Sequence, residues 1–184
     1  MSETDAQSGS HGAVRRWPDI PSSEFWKALS ARAVGAAVVA TAADSKRAGF
    51  FALSVTHLSP SPPTLIVSVS HSTGALAPLR ASGTFSVNYL AETQRGLMDV
   101  FSGRAGLTNE ERFHTQRWTS GRTGAPILEG AVGFLDCEVE EIIDRHAVAL
   151  VIGRIVDFHS SADVSPLIHF RGQLQELAPA LSPG

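Results

Sequence analysis

The sequence predicts a mainly β protein, an antiparallel β-barrel with helical additions. Three observations carry that expectation. Short apolar runs rich in β-branched residues recur along the chain, as in residues 34–41, 64–70 and 148–158, and such runs are the usual material of strands packed on a core. Only two or three short segments place apolar residues at helical spacing. No strand–helix alternation and no internal repeat appears, which argues against a doubly wound parallel sheet.

Residues 1–11 are polar and offer almost nothing to bury, so residues 1–20 are expected to form a flexible N-terminal tail ahead of one domain over 21–177. Trp17-Pro18-Asp19-Ile20-Pro21 reads as a stiff lead-in. Ser22 or Ser23 then stands where an N-cap belongs, before a short helix whose apolar side is Phe25, Trp26 and Leu29. A first strand follows over 34–41, and polar residues 43–49 form the expected hairpin loop. Residues 50–58 and 64–70 supply two more strands around Pro60-Ser61-Pro62-Pro63, where the prolines donate no ladder hydrogen bonds.

Residues 72–80 read as a capped helix of one or two turns, interrupted by Pro78 and ended by Gly83. Residues 85–90 alternate apolar and polar in the manner of a half-buried strand, and 92–101 carry Leu97, Met98 and Phe101 at helical spacing. From 106 to 124 the chain is polar and irregular, anchored by Phe113 and Trp118, with the length of a lid or a dimer contact. Strands resume at 130–142 and 148–158, joined by a turn at Ile143-Asp144-Arg145-His146, and 167–172 makes a last short strand. A loose tail over 178–184 is expected.

A chain of 184 residues with 43% hydrophobic content holds enough apolar matter for one sizeable core. The formal charge of −3 gives no basic field, so nucleic-acid binding is not expected. A single cysteine, Cys137, makes no intrachain disulfide, and its strand-like apolar setting marks it as inert packing. The opening residues lack a signal-peptide pattern, and no apolar run approaches the roughly 20 residues that span a bilayer. The cytoplasm is the expected compartment, without membrane contact.

The seven histidines form no pair at metal-ligand spacing with Cys or carboxylates. Neither a nucleophile elbow nor a Gly-rich phosphate fingerprint is present. One stretch stands out, from Gly49 to Thr73. Its hydroxyls Ser54, Thr56, Ser59, Ser68, Ser70, Ser72 and Thr73 cluster on two consecutive strands and run toward a helix start, where free N–H groups suit a phosphate. Solvent-facing hydroxyls on strand edges are the plainer explanation for any one of them.

Over about residues 25–176 the sequence also resembles the flavin reductase-like, FMN-binding split-barrel family, many of whose members are reductase components of two-component flavin-dependent monooxygenases. The landmarks, in order, are Gly49-Phe50; Ser54, Thr56 and Ser59; Pro62-Pro63; Ser72 and Thr73; the run from Leu79 to Asn88; Phe101-Ser102-Gly103; Arg112-Phe113 with Trp118; the run from Gly124 to Ala131; Asp136-Cys137; Gly153; and Pro166-Leu167 ahead of Phe170-Arg171-Gly172. No single landmark is specific. Their common order over most of the chain is.

The resemblance implies a split β-barrel, a homodimer, FMN or FAD as cofactor, NADH or NADPH as hydride donor, and a separate monooxygenase as possible partner. By position it assigns Ala52, Leu53, Ser54, Val55 and Thr56 to the flavin ring and ribityl chain. It assigns Ser68, Ser70, His71, Ser72 and Thr73 to the ribityl and phosphate groups, and sets Phe101, Ser102 and Gly103 nearby. His146, Phe170 and Arg171 are the expected nicotinamide contacts, with His146 displaced by two residues from the family's usual histidine, where Val148 stands. No side chain need act as acid or base, because the cofactor carries the chemistry. The chain departs from the family at Phe51, Leu53, His57, Ser70 and His71, which removes possible hydrogen bonds to flavin. These departures keep two alternatives open: a cofactor-binding module without reductase turnover, or a barrel holding a tetrapyrrole or corrinoid through His57 or His71.

Overall fold

A computed structural model describes residues 17–177. Of the tail expected over 1–20, residues 1–16 lie outside the described residues, and 17–20 are exposed and in neither helix nor strand; the tail expected over 178–184 lies outside the described residues too. Helix α1 (Ser22–Leu29) starts directly after Pro21, which occupies the cap position without a side-chain bond, so neither serine caps it. Its expected apolar side is not buried: Phe25 and Trp26 are 49% and 65% exposed and stack edge-on at 5.1 Å. Among the described residues no element covers that face.

Strands β1 (Val34–Gly35) and β2 (Ala37–Ala43) divide the first apolar run, and Asp44 and Ser45 turn the chain tightly into β3 (Lys46–Ala52). Both turn residues have positive φ, 50° and 62°, the geometry of a two-residue hairpin whose twist matches the strands. The expected loop over 43–49 therefore shrinks to two residues. The strand expected over 50–58 is two strands, β3 and β4 (Val55–Pro60), parted at Leu53 and Ser54; β5 (Pro63–Ser70) follows the proline turn.

Helix α2 (Leu76–Ser82) tolerates Pro78 in its first turn, where a missing N–H is no loss. Gly83 ends it at φ 66°, the left-handed conformation that glycine adopts without penalty. Strand β6 (Thr84–Tyr89) leads to a 3₁₀ turn at Glu92–Gln94 and to α3 (Leu97–Phe101), so the helix expected over 92–101 is broken in two. The irregular stretch after it contains α4 (Asn109–Arg112) and the small hairpin of β7 (Trp118–Ser120) and β8 (Pro126–Leu128). Long strands β9 (Gly133–Arg145) and β10 (Val148–Ser160) precede β11 (Leu167–Phe170) and β12 (Gln173–Glu176). Turn residues Arg171 and Gly172 at φ 50° and 78° fold β12 back onto β11, a strand absent from the sequence reading.

With twelve strands to four α-helices among the described residues, the protein is mainly β. Seven strands form one antiparallel sheet in the order β3-β2-β6-β9-β10-β5-β4. Its two outermost strands, β3 and β4, are consecutive in the chain, so the sheet must curl until its edges meet. Inside lie Val39, Leu65, Val67, Val69, Phe85, Val87, Cys137 and Val151, with Leu76 and Leu79 of α2 closing one end. A second core forms outside β2, where Val38 and Ala40 pack with Leu97, Phe101, Phe113 and Leu128. Strand β2 is thus buried on both faces, which explains its unbroken apolar run.

The polar residues of β6 are not on a solvent face as the alternation suggested. Ser86 and Asn88 are fully buried because they bind the β8 hairpin: Ser86 Oγ donates to the Pro126 carbonyl at 2.5 Å, and Leu128 N–H donates to Asn88 Oδ1 at 2.8 Å. Asp136, equally buried, accepts from Thr123 N–H at 2.8 Å and from its hydroxyl at 2.5 Å. These bonds fasten the hairpin to the barrel wall. No described helix is long and apolar enough to cross a membrane.

Gly153 of β10 marks the tightest point of the core. A Cβ built there would stand 2.5 Å from the Phe85 ring and 3.3 Å from Cys137 Cβ, and Phe85 is wholly buried. Gly153→Ala is therefore expected to destabilise the fold by roughly 1–3 kcal/mol, the usual cost of overpacking. Urea unfolding followed by circular dichroism measures it; an unchanged midpoint would contradict this packing.

Candidate functional site

The two residues that carry the chain from β3 to β4 sit at the centre of the candidate site. Ala52 ends β3 buried in the barrel, Leu53 is half-buried, and Ser54 is exposed. Ser54 Oγ donates to the Ser68 carbonyl at 3.2 Å while Ser68 N–H donates to the Ser54 carbonyl at 3.4 Å, so the crossing is tied to β5. Val55 lies opposite Val67 and packs inward. Thr56 lies opposite Ile66, and alternation puts Thr56, Ile66, Ser68 and Ser70 together on the outer wall. Across β10 their neighbours on that wall are Val148, Leu150 and Ile152. The result is a surface with hydroxyls at one border and aliphatic side chains beyond it.

After Ser70 the chain turns sharply. Ser70 Oγ and Ser72 Oγ are 2.8 Å apart, and Thr73 N–H donates to the Ser70 carbonyl at 3.0 Å. Ser72 and Thr73 do not cap α2, which begins only at Leu76 with Ala75 before it. The reason is a separate turn in between, closed by Leu76 N–H to the Thr73 carbonyl at 3.1 Å. The Leu76 N–H is therefore spent on the Thr73 carbonyl, and no side-chain hydroxyl caps the helix.

The same turn meets the tip of the β9–β10 hairpin. His71 N–H donates to the Ala147 carbonyl at 2.9 Å, which brings His146, exposed at φ 51°, alongside residues 70–73. His71 Nε2 lies 2.9 Å from Asp144 Oδ1, and Arg80 Nη2 of α2 donates to the same oxygen at 2.5 Å. The hydrogen bond with His71 holds the Asp144 carboxyl below the usual carboxylate range, against some desolvation, and Arg80 adds its charge. Asp144 is anionic at neutral pH.

Phe101, Ser102 and Gly103 are placed elsewhere, behind β3. Phe101 is 2% exposed, stacked with Phe113 at 5.3 Å and Trp118 at 5.7 Å, its ring edge closing on Gly49. Its ring is core and offers no ligand surface. Ser102 and Gly103 are exposed, the serine donating to the Asp99 carbonyl at 3.4 Å. Phe51, opposite Val38, packs in this same outer core and not into the barrel. Arg47 pairs with Glu110 and lies 5.0 Å over the Phe113 ring, pinning α4 to β3.

Phe170 and Arg171 lie at the β11–β12 turn, with the guanidinium 5.0 Å over the Phe170 ring and Arg171 N–H donating to the Ser30 carbonyl at 3.1 Å. Two residues on, Arg32 Nη2 reaches the Leu53 carbonyl at 3.5 Å, linking this turn to the β3–β4 crossing. Sequence reasoning missed Arg32, Arg80 and Asp144. Arg80 stands in a landmark run and Asp144 in a predicted turn, but their meeting depends on residues 64 apart.

Among the described residues, hollows of about 590, 330 and 290 Å³ are found on the surface. The largest is lined by His114 to Arg117 with Glu129 and Gly130; the other two adjoin Phe134 and His159. None includes residues 52–56 or 68–73. The chemistry favours the open wall over the hollows, because the hydroxyl and cationic side chains converge there.

A model of the flavin reductase like domain matches residues 29–178. The chain belongs to the flavin reductase like family. It is 32% identical over 146 residues to the FMN reductase (NADH) RutF of Cronobacter sakazakii, covering 79% of this chain and 87% of that one. With the corresponding protein of Ancylobacter novellus the identity is 31% over 161 residues, covering 88% of both. Among solved structures, BorF, the flavin reductase component of a bacterial two-component tryptophan halogenase, superposes with a TM-score of 0.80 at 25% identity, covering 87% of this chain and all of BorF. The barrel of this family member is thus the split type.

In this flavin reductase like chain the one thiol is chemically silent. Cys137 is completely buried, and burial, with the nearby Asp136 charge, pushes its pKa from an ordinary 9.0 up to about 12. Alkylation by iodoacetamide at pH 8 is expected only after unfolding in guanidinium; native-state labelling at the rate of a free thiol would contradict that burial. The raised value also sets a sign for stability: the protonated thiol supports the fold below about pH 9, and that support is lost as pH rises toward 12.

Proposed function

We propose that this chain is an NAD(P)H:flavin oxidoreductase, using FMN or FAD and NADH or NADPH, and supplying reduced flavin to a separate monooxygenase. The observation that carries this reading is the β3–β4 crossing, where Ser54 is locked to Ser68 and the hydroxyls of Thr56, Ser68, Ser70 and Ser72 line one border of an aliphatic wall. That donor set fits a flavin. Ile66, Leu150 and Ile152 suit a flat ring, the hydroxyls suit a ribityl chain, and Arg80 with Ser72 and Thr73 suits a phosphate. Bound flavin supplies the hydride-accepting ring. The protein's work is to hold and orient, with Ala52 to Thr56 along the ring and ribityl chain and His146, Phe170 and Arg171 toward the nicotinamide. Neither Cys137 nor any His–carboxylate pair is required as acid or base. The relatives named for FMN reduction with NADH, and BorF as a component of a two-component system, support the same assignment.

Further parts of the reading are a homodimer and a cytoplasmic setting, where reduced nicotinamides are replenished. The candidate wall is open and carries half-buried Ile66, Leu150 and Ile152 beside Ile143, 37% exposed, while Phe25 and Trp26 of α1 are uncovered. A second copy laid on the wall would cover Ile66, Ile143, Leu150 and Ile152 and complete the site.

Purified protein mixed with NADH or NADPH and FMN or FAD is expected to consume nicotinamide absorbance well above the uncatalysed background. Background rates for every pairing would defeat the assignment. Ser54→Ala and Ser70→Ala are each expected to weaken flavin binding by roughly 0.5–1.5 kcal/mol, about two- to thirteenfold, with little effect on melting; fluorescence titration reads this. Sedimentation velocity is expected to give twice the 19.5 kDa chain mass, and a monomer at micromolar concentration would remove the dimer.

A further inference from the structure

A patch suited to a phosphate should present positive charge and hydroxyl donors, and here both are present together with an anion. Ser70 and Ser72 offer hydroxyls, His71 a ring N–H, and Arg80 a guanidinium. Neither the His71 ring nor the Arg80 guanidinium faces open solvent alone. They converge on one oxygen of Asp144, at 2.9 Å from His71 Nε2 and 2.5 Å from Arg80 Nη2. The three residues come from three elements: the turn after β5, helix α2 and the end of β9. Their meeting is therefore a product of the fold and not of neighbouring sequence.

A phosphate ester offers oxygens of the same kind as that carboxylate and takes the same donors. With Asp144 in place, an incoming phosphate must share or displace it and meets a like charge in doing so. We propose that Asp144 is a specificity-determining counter-anion, holding His71 and Arg80 and thereby setting the preference between phosphorylated flavin and riboflavin. This rests on the flavin reading of the site and adds to it the residue that controls phosphate recognition.

The experiment titrates FMN and riboflavin, by flavin fluorescence at low salt, into the full-length chain and its Asp144→Asn and Asp144→Glu variants. The Asp144 side chain is 54% exposed, so both variants are expected to fold, with circular dichroism as the check. Asp144→Asn is expected to raise the affinity ratio of FMN to riboflavin about three- to fivefold, the scale of an exposed ion pair. Asp144→Glu, which keeps the charge, is expected to leave that ratio near its original value, and added salt is expected to shrink the Asn effect. An unchanged ratio in Asp144→Asn, or a fall because Asp144 merely organises the His71 ring and the Arg80 guanidinium for phosphate, would overturn the proposal while leaving flavin binding intact. Failure of the unmodified chain to bind either flavin would instead overturn the flavin reading and this inference with it.

Discussion

Everything in the molecule follows from two residues of chain. Leu53 and Ser54 connect β3 to β4, and these are the opposite edges of a seven-stranded sheet. Three virtual bonds separate Ala52 from Val55, so the two edges cannot stand more than about 11 Å apart at that point. A flat sheet of seven strands at about 4.8 Å spacing would hold its edges roughly 29 Å apart. The sheet must therefore close, and because β3 and β4 do not pair, it closes as a barrel with a split. The backbone at the split has no ladder partner across it. Ser54 instead bonds with Ser68 of β5, its hydroxyl donating to the Ser68 carbonyl and its own carbonyl accepting from Ser68 N–H.

Closure also dictates the second core. Once the inside of the barrel is filled by Phe85, Val87 and their neighbours, the outer side of β2 has to be covered by something else. The chain supplies α3, the Phe113 turn, the β7–β8 hairpin and β11, held in place by Ser86, Asn88 and Asp136. This covering occupies one side only. Among the described residues the β4, β5 and β10 side keeps its outer wall uncovered, and that asymmetry separates the packed face of the barrel from the face proposed to bear the site.

Much of this was legible in local sequence, and the failures share one cause. The strand over residues 34–41 showed as an unbroken apolar run, which its burial on both faces explains. The hydroxyl-rich stretch was visible because Ser54, Ser68, Ser70 and Ser72 fall within nineteen consecutive residues. The break at Leu53 was not visible, since neither Leu nor Ser carries a breaker signal; tertiary closure imposes it. Ser86 and Asn88 passed for solvent-facing residues because Leu128 and Pro126, their partners, lie 40 residues away. Strand β12 is short and polar, with pairing set by the Arg171–Gly172 turn. The His71–Asp144–Arg80 cluster joins residues 73 and 64 apart, beyond the reach of any periodicity.

Hydrogen exchange read by mass spectrometry, with and without FMN, tests the central claim that the split of the barrel is where the flavin is held. Slower exchange confined to backbone amides of residues 53–56 and 70–74 is the predicted result. Protection confined to residues 114–117 and 129–130 around the largest hollow, with the split unaffected, would contradict it.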